Sequence, residues 1–570
     1  MRCTLPLSLV VLTGCHLHES PDIKSCEDAP LGCGDADSGD LDDEDGDGVP
    51  ASEDCDDGDP EVGGPQTYYV DSDDDGWGDA ENPVEACEQP DDAVPESGDC
   101  DDTSDAASPD IAEEICDDGL DNNCNGSQDD CIWSGDTTTG KAQAYLWTDT
   151  PASYSSEVHP LLVHDDLSGD GIPEIVLGQL YAYDGKGGYG AAYVFEGDST
   201  GELEASQAYA VYTGEVTDFV GVSLAAGDLN GDGQADLVTG VSGYSSEVAS
   251  NCGAAAVFLG PLAAGGGALS SADYLLIGPA AEAQTGHSVA IGDVTGDGLS
   301  VISGAVLAGS ADQGSVYVLP AGTTEDLSLS DAAAQITPTS SIRLGSALTA
   351  GDLDGDGIDE LLIATTYAND YAGAVYVFQG PVTGTLTTDD AVVDRSSRET
   401  SAYFGDVLDL VGDVDGDGTD DLAIGAYKSD GEVANSGELQ LFTSILTQKE
   451  ATATLVGNAQ VTGVGSGVDG YDFDTDGHAD LVVGAWQDSS VDGENAGSAR
   501  LFYGPITGTV QQVDAAAKFR PVASGGYLGR LVGAADVDSN GTGDVVVGSH
   551  YSPHQGSVGT GAWVFGGPGY

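Results

Sequence analysis

Seven times along this 570-residue chain, acids recur at alternate positions and run into a tight turn. The stretches are DLSGDGIPE (residues 166–174), DLNGDGQAD (228–236), DVTGDGLSV (293–301), DLDGDGIDE (352–360), DVDGDGTDD (413–421), DFDTDGHAD (472–480) and DVDSNGTGD (536–544). In such a nine-residue loop, side-chain oxygens at positions 1, 3 and 5 point to one side and glycine at 6 permits a sharp turn. The carbonyl of position 7 then faces inward, and an acid at position 9 closes the cage. Hard oxygen donors in that number suit Ca2+, held at about 2.3–2.6 Å, better than Mg2+, which demands a tighter octahedron. Without a cation, each pair of carboxylates about 4 Å apart costs on the order of 4 kcal/mol at an effective dielectric near 20, which couples metal to fold.

The expected ligands follow loop by loop. They are Asp166, Ser168, Asp170 and Glu174; Asp228, Asn230, Asp232 and Asp236; Asp352, Asp354, Asp356 and Glu360. The later loops supply Asp413, Asp415, Asp417 and Asp421; Asp472, Asp474, Asp476 and Asp480; and Asp536, Asp538, Asn540 and Asp544. The first loop is the weaker one, because Ser168 stands where a carboxylate is wanted and Pro173 precedes the closing acid. The third loop departs further: its position 9 is Val301, as if one acid had been deleted, and it is expected to bind metal poorly. Upstream, residues 43–54 (DEDGDGVPASED) place Asp43, Asp45, Asp47 and Asp54 at positions 1, 3, 5 and 12 with Gly48 at 6, the oxygen pattern of an EF-hand loop. Pro50 and the lack of amphipathic flanks argue against the helices of that motif. Residues 68–82 repeat the idea with Asp71, Asp73, Asp75 and Asp79.

The elements that position these acids are read from the period. Loop starts lie 59–65 residues apart, which fits one four-stranded sheet plus connections. Apolar alternation precedes each loop; a strand such as LAIGA or LVVGA follows, then a glycine-led strand such as GAVYVFQG, and no repeat contains a convincing helix. An outer fourth strand, for example residues 206–212 (SQAYAVY), lies in each gap between repeats, but none follows the last. Residues 142–147 (AQAYLW), ahead of the first loop, look like the missing strand. The expected fold is therefore all-β: a seven-bladed β-propeller closed by an N-terminal outer strand, which removes an exposed edge, preceded by a small irregular region stapled by disulfides and calcium. The expected organisation is a lipoprotein signal peptide (1–14), an acidic linker (15–40), a Cys-rich acidic metal-binding region (41–131), a second linker (132–140) and the propeller (141–570).

Composition narrows the partners. Asp and Glu number 100 against 13 Lys and Arg, a formal charge of −87, which excludes nucleic acid and anionic lipid surfaces as binding partners. The apolar run at residues 5–12, after Arg2, is too short to span a bilayer and reads as an export signal. Leu12-Thr13-Gly14-Cys15 resembles the bacterial lipobox, which makes Cys15 the expected lipidation site and the outer membrane or cell surface, or secretion, the expected location. Residues 15–131 carry 41 acids and one Lys, too few apolar side chains to fold by burial alone. Their eight further Cys allow four disulfides with 105 pairings open, a thiolate metal site being the alternative. Cys252 is left as a buried free thiol.

The repeat resembles the FG-GAP repeat of integrin alpha-chain propellers and many bacterial exported proteins. Phe404-Gly405 keeps the first signature, with Leu344-Gly345, Leu528-Gly529 and Phe219-Val220-Gly221 as weakened forms. Gly425-Ala426 and Gly484-Ala485 keep part of the second, with Tyr427 and Trp486 in the proline position. Residues 99–131 resemble the metal-binding motif of bacterial surface proteins, and residues 43–54 the calcium loops of thrombospondin type 3 or dockerin-like modules. The resemblance implies a calcium-binding, non-enzymatic, monomeric adhesion module for a protein or glycan ligand. Tyr181, Tyr183, Tyr189, Tyr367, Tyr371, Tyr427 and Trp486 fall just after second strands, on the face away from the calcium hairpins, where they suit such contact. A polysaccharide hydrolase or lyase, or a structural envelope protein, are the alternatives. His159, His164, His550 and His554 are the residues a catalytic centre would draw on, but no nucleophile at suitable spacing accompanies them.

Overall fold

The computed structural model describes residues 49–567 apart from 51, 57–58, 60–61, 74–75, 81, 91, 105–123, 125–132, 134, 150–159, 164, 181–189, 248, 310, 321, 431–432, 490–494, 523–525 and 555–556. The leader, Cys15, Asp43, Asp45, Asp47, Asp75, His159, His164, Tyr181, Tyr183 and Tyr189 lie outside the described residues. The fold is all-β; the four-residue turn Ala368–Tyr371 holds Asn369, Asp370 and Tyr371 in the left-handed region (φ 52°, 58° and 64°). The chain divides into two compact units between Ser97 and Gly98. Each observed disulfide closes within one unit, Cys55–Cys87 in the first and Cys100–Cys124 in the second.

In the first unit Gln66–Val70 is flanked by Pro83–Ala86 and Ala93–Val94 in a three-stranded sheet. The second unit holds seven sheets of four or five strands among the described residues, one for each repeat. In the second repeat, for example, Val220–Gly227, Asp236–Val241, Ala254–Phe258 and Tyr274–Ile277 pair antiparallel in chain order. The seventh sheet takes its fourth strand from upstream: Ala144–Asp149, close to the expected 142–147, pairs antiparallel with Ser557–Phe565.

Periodicity did not reveal a fifth strand. Six sheets carry one, donated by the next repeat and parallel to the fourth: Gly267–Ala268, Leu327–Ser328, Gly384–Thr387, Gly508–Gln511, Gly135–Thr138 and Gly201–Glu204. Gly135–Thr138 lies inside the stretch expected to be linker; pairing with Ala517–Arg520 makes it a strand.

Seven buried apolar clusters hold the unit together, each shared by two successive sheets. Val194 and Tyr212 of the first sheet pack with Leu237 and Phe258 of the second, and so on around. The last cluster joins Val546 and Val564 of the seventh sheet to Ile175 and Leu177 of the first. The first strands of all seven sheets line one cavity of 320 Å³.

The two dipeptide signatures have a steric cause. Gly221, Gly345 and Gly529 each hold a left-handed backbone, and the carbonyl of each lies against a second-strand glycine of the preceding sheet; Gly405 is also left-handed but meets Ala364 there. A Cβ on Gly240 or Gly484 would come within 1.9 Å of the Gly286 or Gly529 carbonyl, a clash that excludes any other residue while sheets stay this close. One residue earlier, Leu344, Phe404 and Leu528 bridge to the glycine that leads the neighbouring third strand.

Candidate metal centres

Each acidic loop joins the first and second strands of its sheet, so position 9 stands at or just before the start of the second strand. That placement buries the closing acid. Glu174, Asp236, Glu360, Asp421, Asp480 and Asp544 are at most 1% exposed. Each accepts the backbone N–H of position 2, from Leu167, Leu229, Leu353, Val414, Phe473 and Val537, at 2.6–2.9 Å. The position 1 carboxylates accept the N–H of the glycine at position 6, at 2.7–3.0 Å. Position 5 accepts the N–H of position 7 at 2.8–3.0 Å. Six loops thus share one arrangement.

Backbone hydrogen bonds do not use all the oxygens. In at least four loops a triad of acids brings one oxygen each within 4.8 Å of the others: Asp166, Asp170 and Glu174; Asp352, Asp354 and Asp356; Asp413, Asp415 and Asp421; Asp472, Asp474 and Asp480. Glu360 Oε1, Asp421 Oδ1 and Asp472 Oδ1 are buried without a hydrogen-bond partner. A buried, unpartnered anion is costly, and a cation at the mouth of the loop would satisfy these oxygens; the donor set fits Ca2+.

Protonation tells the same story for the ion-free loop. Burial, reinforced by the neighbouring loop acids, pushes Glu360, Asp421, Asp480 and Asp544 up to about 7. Burial also raises Glu174 and Asp236, against the backbone hydrogen bonds that favour their charged forms.

The third loop is one residue short, and register shows where. Gly292 pairs with Ser300, whereas Gly227 pairs with Asp236 and Gly351 with Glu360. Ser300 rather than Val301 therefore occupies the place of the closing acid, while Val301 is buried in the core. Ser300 is 1% exposed and its Oγ has no hydrogen-bond partner. Asp359 of the next loop accepts the Asp293 N–H at 2.7 Å.

Upstream, Asp71 is buried and accepts the Gly76 N–H at 3.2 Å, the same contact that ties position 1 to position 6 in the repeats. Asp54 accepts the Asp56 N–H at 3.0 Å. Asp73 and Asp79 belong to the Asp71 loop, and Asp79 accepts from Asn82. Asp99 is grouped with Cys100 and Cys124, but those sulfurs form a disulfide and offer no thiolate. Cys252 is a buried free thiol.

At the opposite edge, where first strands begin and second strands end, rings form a continuous arc over the fourth to seventh sheets. Centroids of Tyr367, Tyr371, Tyr403, Tyr427, Trp486 and Tyr527 follow one another at 5.3–6.0 Å. Arg343 lies 4.4 Å over Tyr367, Lys428 4.3 Å over Tyr403, and Arg530 5.2 Å over Tyr427. Sequence reasoning missed Tyr403, Tyr527 and Arg343. All three directly precede the Phe-Gly-type signature in a left-handed conformation (φ 58°, 51° and 51°), so the signature itself could have located them. Of His550 and His554 only the backbone is described.

Comparison with known proteins agrees with this architecture. Residues 166–239 match the FG-GAP-like repeat, and residues 220–259 and 344–378 the FG-GAP repeat. Residues 54–64 and 99–130 match the family described as "Putative metal-binding motif". Integrin alpha-V of Gallus gallus is 32% identical over 223 residues, covering 37% of this chain and 20% of that protein. Integrin alpha-PS5 of Drosophila melanogaster is 36% identical over 151 residues, covering 25% and 15%. Integrin alpha-4 of Xenopus laevis is 30% identical over 155 residues, covering 26% and 15%. The chain thus spans a fifth or less of the length of these relatives. It carries FG-GAP repeats related to those of integrin alpha chains, together with the metal-binding motif at 54–64 and 99–130.

Proposed function

We propose that this chain is a calcium-binding cell-surface lipoprotein, anchored through Cys15, whose FG-GAP repeats form a seven-bladed β-propeller closed by Ala144–Asp149. The propeller serves as an adhesion or ligand-binding module for protein or glycan and not as an enzyme. The observation that carries the reading is the recurrence of one loop geometry in six repeats, with a buried acid at position 9 each time. Ca2+ held by positions 1, 3, 5 and 9 would neutralise the crowded carboxylates and fix each hairpin. The rigid sheets then present the arc from Tyr367 to Tyr527 at the other edge, where aromatic rings and cations suit protein or sugar contact. Acidic residues 41–131 serve as a calcium- and disulfide-stiffened spacer.

The test is binding of the purified full-length protein to glycan arrays and immobilised cell-surface proteins, in calcium and in EGTA. Calcium-dependent binding weakened by Trp486→Ala is expected. Turnover of any polysaccharide in a parallel substrate screen, or binding indifferent to both calcium and Trp486, would contradict it.

A further inference from the structure

The fourth sheet, among the described residues, has no fifth strand: nothing pairs with the outer side of Val393–Ser396. The connection that would supply it is short. In the first, second, third, fourth and sixth repeats the connection from third to fourth strand, which yields the extra strand, has 13–15 residues (197–209, 259–273, 319–333, 379–392 and 503–516). In the fifth repeat it is residues 443–452, only 10. A cleft of 430 Å³ occupies the vacated place, between the outer strand of the fourth sheet and the third strand of the fifth.

The edge is marked by one substitution. At the third position of the outer strand six sheets place Leu146, Tyr212, Leu276, Ile336, Leu455 or Phe519, all apolar and buried. The fourth places Arg395. Where the fifth strand exists, its residue beside that position is Leu203, Leu327, Leu386 or Val510 in four sheets and Gly267 or Thr137 in two. Apolar thus meets apolar in most sheets, and the complement of an arginine at this register is a carboxylate. Arg395 donates to the Gln448 carbonyl, yet its Nε is buried without a hydrogen-bond partner. Arg398 and Lys449 add positive charge to the cleft. Of the acids there, Glu399 is engaged by the Asp430 N–H at 2.9 Å and by the Ser429 hydroxyl, and Glu438 accepts from Gln440. Asp430 accepts the Asn435 N–H and Glu450 also lines the cleft, so its lining carries four carboxylates and three cations; the side-chain atom of that lining that is buried without a hydrogen-bond partner, among the described residues, is Arg395 Nε.

We infer that the open edge of the fourth sheet is a strand-addition site for an extended acidic peptide, which lies parallel to Val393–Ser396 and sets an Asp or Glu beside Arg395. The cleft uses none of the rings of the aromatic arc, so either reading can fail alone.

The test uses the full-length protein in calcium and two fluorescein-labelled peptides, followed by fluorescence polarisation. One has the sequence of residues 382–390, which supplies the fifth strand of the third sheet; the other carries Leu386→Asp. The acidic peptide is expected to bind at least about tenfold tighter than the parent, and Arg395→Leu to reverse that order. Lys449→Glu, which does not depend on Arg395→Leu folding, should weaken the acidic peptide and spare the parent. Binding of neither peptide at millimolar concentration, equal binding of both, or a preference unmoved by Arg395→Leu and Lys449→Glu overturns the inference.

Discussion

Ala144 lies directly opposite Val564 in the seventh sheet, so a strand ahead of all seven repeats and the strand that ends them share one hydrogen-bond ladder. The same strand carries Leu146, fully buried among Ile175 and Leu177 of the first sheet and Ala562 and Val564 of the seventh. A short upstream segment thus supplies the fourth strand of the seventh sheet and packs it against the first.

Leu146→Ala should therefore cost about 2–5 kcal/mol, the range for a buried leucine that leaves a cavity. Val216→Ala, at a residue 57% exposed, should cost almost nothing. Urea unfolding of both variants checks the contrast, and similar midpoints would remove Leu146 from any sealing role.

A buried charge cluster in the sixth sheet gives a second prediction. Asp488 lies 2.7 Å from Arg500 and 3.2 Å from Lys518, and burial holds the Lys518 ammonium below its ordinary range despite Asp488. Asp488→Ala would strand two buried cations and should destabilise by about 3–5 kcal/mol. Replacing all three by Leu should be far milder, a difference that thermal melts can resolve.

The third loop is one residue short and can be repaired. Inserting one alanine after Leu299 together with Ser300→Asp restores the nine-residue spacing seen at Asp228–Asp236 and Asp352–Glu360. Native mass spectrometry should find one more bound Ca2+ than in the parent. An unchanged count would mean that spacing and closing acid do not decide occupancy.

Acidity should stabilise the chelated protein. Burial lifts Glu360, Asp421, Asp480 and Asp544 to about 7, so the folded state keeps protons that the unfolded chain, with carboxylates near 4, has released. The folded state binds more protons between about pH 4 and about pH 7, and stability must fall as pH rises through that window. Melting temperatures in EGTA should drop steadily from about pH 5 to about pH 8 and recover when calcium is added. A rise with pH in EGTA would show that these acids are charged in the ion-free fold.

The repeat, its strands and the loop acids were legible in the sequence because each is fixed by a strong local constraint: the apolar runs of fully buried second strands, alternating burial in fourth strands, or glycine at a left-handed turn. Even Ala144–Asp149 was visible, by likeness to residues 206–212. The fifth strands were not. They are two to four residues long, and GELE at Gly201–Glu204 or GDTT at Gly135–Thr138 has no apolar alternation, since one flank is solvent. Nor could spacing reveal that Ser300 takes the closing position, because a one-residue deletion can be absorbed on either side of it. The pairings Cys55–Cys87 and Cys100–Cys124 depend on chain path, which cysteine count leaves open.

Melting of the full-length protein in calcium and after exhaustive EGTA treatment tests most directly whether bound ions hold the repeats together. With calcium at about a hundred times Kd, each independent site adds about 2.7 kcal/mol, so chelation should lower Tm by more than about 10 °C, reversibly. A melting temperature that does not move on chelation would contradict the account.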